Sequence, residues 1–306
     1  MTKLPGGRVI DVDAYVFKYE ENGTNSEIYN PSSGTWSTLG STVVQLWDSA
    51  ADCGGEGSAS FELGPAVLRP NGTVFATGAN SCAAAHTAIY NVNAGSWAAG
   101  PDFPSNLGIA DGPAALLPDG NVLMMTSPLA YNTPATFFEW DGSNLNQVAS
   151  PPNGPSDSSY YGHMLVLPTG QILFTDFSND VELYTSNGSP YPGTAPSALF
   201  ATAVTTLTRG VTITLFGFKF NGASQANAYG DDFQDATNYP LVRITNKSTG
   251  HVFYCRTHDH STMAVGYQGP AYTHVDLPAN LETGASTLEV VANGIASQKY
   301  QIVVVE

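Results

Sequence analysis

The chain has 306 residues, enough for about two domains of ordinary size, and sets 26 acidic against 10 basic residues for a formal net charge of −16. That charge repels phosphate backbones and anionic lipid, which weighs against nucleic acid and membrane surfaces as partners. Charged residues make up only 12% of the chain while Gly and Pro number 31 and 20, a turn-rich composition that predicts many short strands rather than helices.

In chain order, the opening "MTKLPGGRVIDVD" has no apolar signal-peptide core, and no later apolar run reaches the ~18 residues of a membrane span. The segment "LPGGRVIDVD" with Pro5 begins a series continued by "LRPNGTVFATG" with Pro70, "LLPDGNVLMMT" with Pro118 and "VLPTGQILFTD" with Pro168. Each reads as apolar strand, Pro-x-Gly turn, apolar strand, a β-hairpin in which glycine supplies the positive φ of the turn. A second hairpin follows each: "SEIYNPSSGTW" at 26–36, "TAIYNVNAGSW" at 87–97, "TFFEWDGSNL" at 136–145 and "DVELYTSNGS" at 180–189. The unit is four strands. The prolines stand 65, 48 and 50 residues apart, near the roughly 50-residue kelch period of a β-propeller blade.

After a Pro-rich linker at 188–200, six segments between 209 and 306 read as strands of a small sandwich. The expected division is therefore 1–190 and 191–306. Cys53 and Cys82 lie in loop-like contexts about one repeat apart, with Cys255 left over. A Cys53–Cys82 bridge would indicate an oxidising compartment, and the sequence leaves open whether it forms. The acidic residues are scattered and match no EF-hand-like carboxylate loop, so they read as solubilising charge.

The sixth residue before the hairpin proline is Gly64, Gly112 and Gly162 in three successive units, as suits a place where backbone crowds backbone. The two residues ahead of each glycine are Glu62 and Leu63, Ala110 and Asp111, Tyr160 and Tyr161. Innermost strands of a propeller share a mouth. Glu62, Asp111, Tyr160, Tyr161 and His163 are thus the polar residues expected to gather at one end, as binding residues or as strand ends capped in water. No G-x-S-x-G, H-E-x-x-H, P-loop or dinucleotide motif is present.

These repeats resemble the kelch-type blades of the galactose oxidase family, and the tail resembles its C-terminal immunoglobulin-like domain. The resemblance implies an all-β chain: a kelch-type propeller portion of four recognisable blades, a partial ring or a ring of its own, followed by an immunoglobulin-like β-sandwich. It also implies the C-terminal part of a longer secreted or cell-surface ancestor that lacks about three N-terminal blades. In that family two tyrosines and two histidines bind copper, and a Tyr-His pair opens the last blade. Tyr160 falls on the tyrosine position, Tyr161 stands where the histidine belongs, and strand alternation would turn His163 to the side of Tyr161. The last domain would supply a histidine from His251, His258 and His260; His258 and His260, two apart on a strand, would face one way. The Tyr-Cys pair of the family has no counterpart here. The leading expectation is a secreted or surface scaffold that binds carbohydrate or protein, with no cofactor. A copper oxidase built on Tyr160, His163 and one of the last histidines is the alternative that keeps catalysis. A self-associating structural protein, pairing through open blade faces, is the third.

Overall fold

The structure, a computed structural model, describes residues 1–13, 25–47, 61–79, 84–129, 131–200, 204–224 and 237–306. Cys53 and Cys82 lie outside the described residues, and Cys255 is a free, buried thiol. The regular elements described are β-strands and two short 3-10 turns, and no helix among the described residues is long and apolar enough to cross a membrane.

Four small antiparallel sheets come first. The first holds β1 (Thr2–Lys3), β2 (Val9–Val12), β3 (Ser26–Asn30) and β4 (Thr35–Gly40) in chain order. The second holds β5 (Leu63–Leu68), β6 (Thr73–Gly78), β7 (Thr87–Asn91) and β8 (Ser96–Ala99). In the third, β9 (Leu107–Gly108) pairs with the end of β11 (Val122–Pro128), which also joins β10 (Ala114–Leu116) to β12 (Thr136–Trp140) and β13 (Leu145–Val148). The fourth has three strands, β14 (His163–Val166), β15 (Ile172–Thr175) and β16 (Glu182–Tyr184).

The expected Pro-Gly hairpins open all four sheets. In each turn the backbone N–H of the glycine donates to the carbonyl three residues earlier: Gly7 to Leu4, Gly72 to Arg69, Gly120 to Leu117 and Gly170 to Leu167. Proline fixes the second turn position, and the fourth needs the left-handed φ of +81° to +91° found at these glycines.

Adjacent sheets are held by apolar layers. Leu4, Ile10 and Ile28 of the first meet Leu68, Val74 and Tyr90 of the second. Val67 and Phe75 of the second meet Val122, Phe138 and Trp140 of the third, with Phe75 and Trp140 stacked at 3.8 Å. Leu123, Met125 and Phe137 of the third meet Met164, Ile172 and Phe174 of the fourth. Arg69 pins the second sheet to the third: its Nε donates to Gly120 O at 2.8 Å, its Nη2 to Asp141 O at 3.1 Å, and its guanidinium lies 4.4 Å from the Trp140 ring centre.

The remaining strands are β17 (Ser197–Leu199), β18 (Val204–Thr208), β19 (Thr212–Phe218), β20 (Leu241–Asn246), β21 (Val252–His258), β22 (Pro270–Asp276), β23 (Gly284–Ala292), β24 (Ile295–Ala296) and β25 (Tyr300–Val305). They form one hydrogen-bonded nine-stranded sheet, in which β21 connects to both β22 and β20. Inward residues from eight of these strands, Leu215, Ile244, Val275 and Leu288 among them, share a single core, so the sheet is curled on itself. This sheet meets the small sheets at the turn end of their hairpins. Lys3 Nζ donates to Met263 O at 2.6 Å, Val265 joins the core of the first two sheets, and Gly294 abuts Gly170. The 188–200 segment is docked rather than free, since Tyr191 N donates to Pro118 O at 2.8 Å and its ring lies over Gly120.

Candidate functional site

At the end of the hairpins away from that junction, three strand starts are stitched together. Asp111 N donates to Leu63 O at 3.4 Å, and Ser159 Oγ donates to Ala110 O at 3.1 Å. The chain at Leu63, at Ala110–Asp111 and at Ser159 is therefore brought side by side. Gly112 and Gly162 show why that position is glycine: a Cβ on Gly112 would lie 2.6 Å from Ile109 Cγ2 and 2.9 Å from Ser159 Cβ, and one on Gly162 would lie 2.4 Å from Met125 Sδ.

The stretch ahead of β14 is a 3-10 turn, Ser159–Tyr161, and not an extended strand. Strand alternation consequently does not relate Tyr161 to His163. The 3-10 turn instead sets Tyr160 and Tyr161 edge to face at 4.4 Å, and the neighbouring Tyr161 hydroxyl holds the Tyr160 phenol above its ordinary pKa. Tyr131 packs on Tyr160 at 5.4 Å, Tyr161 on Phe177 at 5.4 Å, and His163 lies 6.1 Å from Phe177. A continuous aromatic surface results. Phe177 is 71% exposed and sits in the left-handed region at φ +68°, a conformation that disfavours a bulky side chain.

Phe177 projects from the loop Asp176–Asp180, which is anchored by carboxylates. Ser178 N donates to Asp176 Oδ1 at 3.1 Å, and Asp180 Oδ1 accepts from Asn153 Nδ2 at 3.3 Å and from the Ser178 hydroxyl. Asp157, Asp176 and Glu182 converge beneath. Burial, then the neighbouring Asp176, pushes the Asp157 carboxyl up to about 6. Burial works the same way on Asp176 but is outweighed by hydrogen bonding, Ser178 foremost, and its pKa falls. Glu182 is raised by burial, then by Asp180 and Asp176. Asp157, Asp176, Asp180, Glu182, Phe177 and Tyr131 were not singled out by the sequence reading. The alternation of Asp176, Ser178, Asp180 and Glu182 is a sequence signal that could have marked three of these carboxylates; nothing in the sequence ties Asp157 or Tyr131 to them.

The histidines of the last sheet do not join this end. β21 stops at His258, and Asp259 takes a φ of +49°, so His258 and His260 are not two positions of one strand. His258 Nδ1 lies 2.8 Å from Asp259 Oδ2 and Nε2 3.1 Å from Asp276 Oδ1; these hydrogen bonds raise its pKa and commit both nitrogens to carboxylates. His260 Nδ1 contacts Thr273 Oγ1 at 2.9 Å, and burial lowers its pKa. His251 Nδ1 pairs with Glu282 at 2.7 Å. With these imidazoles engaged in a sheet that meets the hairpins at their other end, the residues present do not fit a copper centre shared with Tyr160 and His163. Cys255 points into the core of that sheet, where burial pushes its thiol up to about 12.

No family model and no curated protein matches the chain. Two solved structures show remote likeness. AofleA from Arthrobotrys oligospora is 12% identical, with 99% of this chain and 95% of that chain covered at a TM-score of 0.25. Domains 4 and 5 of the S-layer protein SbsC are 11% identical, with 63% of this chain and 92% of that chain covered at a TM-score of 0.18. Likeness this slight bears on neither fold nor function.

Proposed function

We propose that the protein is a secreted or surface carbohydrate-binding scaffold: a portion of a kelch-type propeller whose Tyr160–Phe177 end holds sugar, carried on an immunoglobulin-like C-terminal domain. Four successive meanders support the propeller reading, since their first strands adjoin in series, β1 with β5, β5 with β10 and β10 with β14. The location is suggested by the resemblance of the repeats to a secreted family.

The observation that carries the binding reading is the aromatic surface of Tyr131, Tyr160, Tyr161 and Phe177. An aromatic face packs against the C–H face of a pyranose, and an exposed ring loses little conformational freedom in doing so. Asp180, exposed on the same loop, is placed to accept hydroxyl hydrogen bonds that orient the sugar. The left-handed Phe177 fits this reading, because backbone strain is retained where the surroundings hold a side chain in place for use. A glycan array tests it. The wild-type chain is expected to be retained on a restricted set of glycans, and Phe177→Ala to lose that retention with an unchanged melting temperature. An array with no retained glycan, or retention indifferent to Phe177, contradicts the reading.

A second reading, self-association, is favoured by the fourth sheet. Leu165, Leu173 and Leu183 stand in one cross-strand row, with Leu165 and Leu183 well exposed. A second copy would cover such a row, and light scattering that finds only monomer at high concentration sinks this reading.

A further inference from the structure

Four carboxyl groups meet at the base of the Phe177 loop. Ligand-type oxygens of Asp176, Asp180 and Glu182 all lie within 4.8 Å of one another, the span of two oxygens on opposite sides of a calcium ion at roughly 2.4 Å each. Asp157 arrives from a separate segment, is 5% exposed, and lies close enough to Asp176 to feel its charge. Asp157 Oδ2, Asp176 Oδ2 and both carboxylate oxygens of Glu182 are buried without a hydrogen-bond partner. The charged groups that act on Asp157 and Glu182 are all acidic. Unpaired carboxylate oxygens are costly to bury, and like charges this close cannot all ionise without a counter-ion.

We propose that Asp157, Asp176, Asp180 and Glu182 bind one calcium ion. The donors are oxygens only, with neither imidazole nor thiolate among them, which selects a hard cation over copper or zinc. Magnesium requires a tighter octahedron at about 2.0–2.1 Å and gives up its water reluctantly, which suits this spread of oxygens less well. Ser178 N engages Asp176 Oδ1 and leaves Oδ2 for the ion, and exposed Asp180 opens a route from solvent. A bound ion ties the 176–180 loop to the segment ahead of Tyr160 and so fixes Phe177 relative to the tyrosines. Calcium binding is measured without any sugar, so it stands or falls separately from the carbohydrate reading.

The test is isothermal titration of the full chain, stripped with chelator, with calcium chloride, alongside thermal melting with calcium, magnesium or chelator. The expected result is one calcium per chain, a higher melting temperature in calcium than in chelator, and a loss of at least about tenfold in calcium affinity in Asp176→Asn. Terbium luminescence excited through Tyr160 and Tyr161 provides a second readout on the wild-type chain, displaced by calcium, should the variant fail to fold. A folded wild-type chain that takes up no calcium at millimolar concentration overturns the proposal, as does full affinity in Asp157→Asn/Asp176→Asn or binding of magnesium as tightly as calcium.

Discussion

Phe177 is a bulky residue held in a left-handed conformation with its ring in water, and Asp157 is a carboxyl buried among other carboxyls. Neither arrangement stabilises the fold on its own account. For Asp157 this gives a pH dependence of defined sign. Its folded-state pKa of about 6 lies above the ordinary 3.8. Between roughly pH 4 and 6 the folded, metal-free chain therefore keeps a proton that the unfolded chain has released, and stability falls as pH rises through that window. At about 1.4 kcal/mol per pKa unit the ceiling of this contribution is about 3 kcal/mol. Urea titrations of the chelated protein across this range should show Asp157→Asn losing that slope relative to wild type; parallel curves contradict the assignment. Cys255, 3% exposed and with its thiol pushed up to about 12, should remain unmodified when the folded protein is alkylated at pH 8 and mapped by mass spectrometry, since the thiolate is the reactive form. The sequence shows Tyr160, Tyr161 and His163 as near neighbours along the chain, but not the 3-10 turn or the Phe177 ring that the structure sets beside Tyr161 and His163. The carboxylates were not, because Asp157 and Asp176 are separated by β14 and β15 and meet only when that hairpin folds.

The hairpins were the most legible elements, because Pro and Gly at fixed spacing dictate a turn whatever surrounds them. The aligned Gly64, Gly112 and Gly162 also carried correct information about crowding, and the contacts of Gly112 and Gly162 with Ile109, Ser159 and Met125 give the physical reason. Gly162→Ala is expected to cost about 1–3 kcal/mol by overpacking, seen as a lower denaturation midpoint; an unchanged midpoint would mean that the strand start is looser than these distances imply. Arg69 was silent in the sequence. Its Nε and Nη2 donate to carbonyls more than fifty residues away, and Arg69→Leu should cost about 2–4 kcal/mol through the acceptors it strands. The alternation argument failed at two element ends, where Ser159–Tyr161 turns into a 3-10 helix and where Asp259 breaks β21. Periodicity describes the interior of a strand and not its termini.

Across the whole molecule, apolar layers run between each pair of neighbouring small sheets, while the curled last sheet encloses a core of its own. The all-β class followed from composition and repeats. The hydrogen-bonded continuity of the last nine strands did not, since strand pairing across β20, β21 and β22 depends on register that local sequence does not specify. This architecture leaves the Tyr160–Phe177 end away from the junction with the last sheet, which is what a binding surface requires. The decisive measurement is the affinity of wild type and Phe177→Ala for the best-retained oligosaccharide by isothermal titration calorimetry, with melting temperatures recorded for both. The account predicts a loss of about tenfold or more with the fold intact, as for an aromatic anchor at the centre of a site; equal affinities would contradict it.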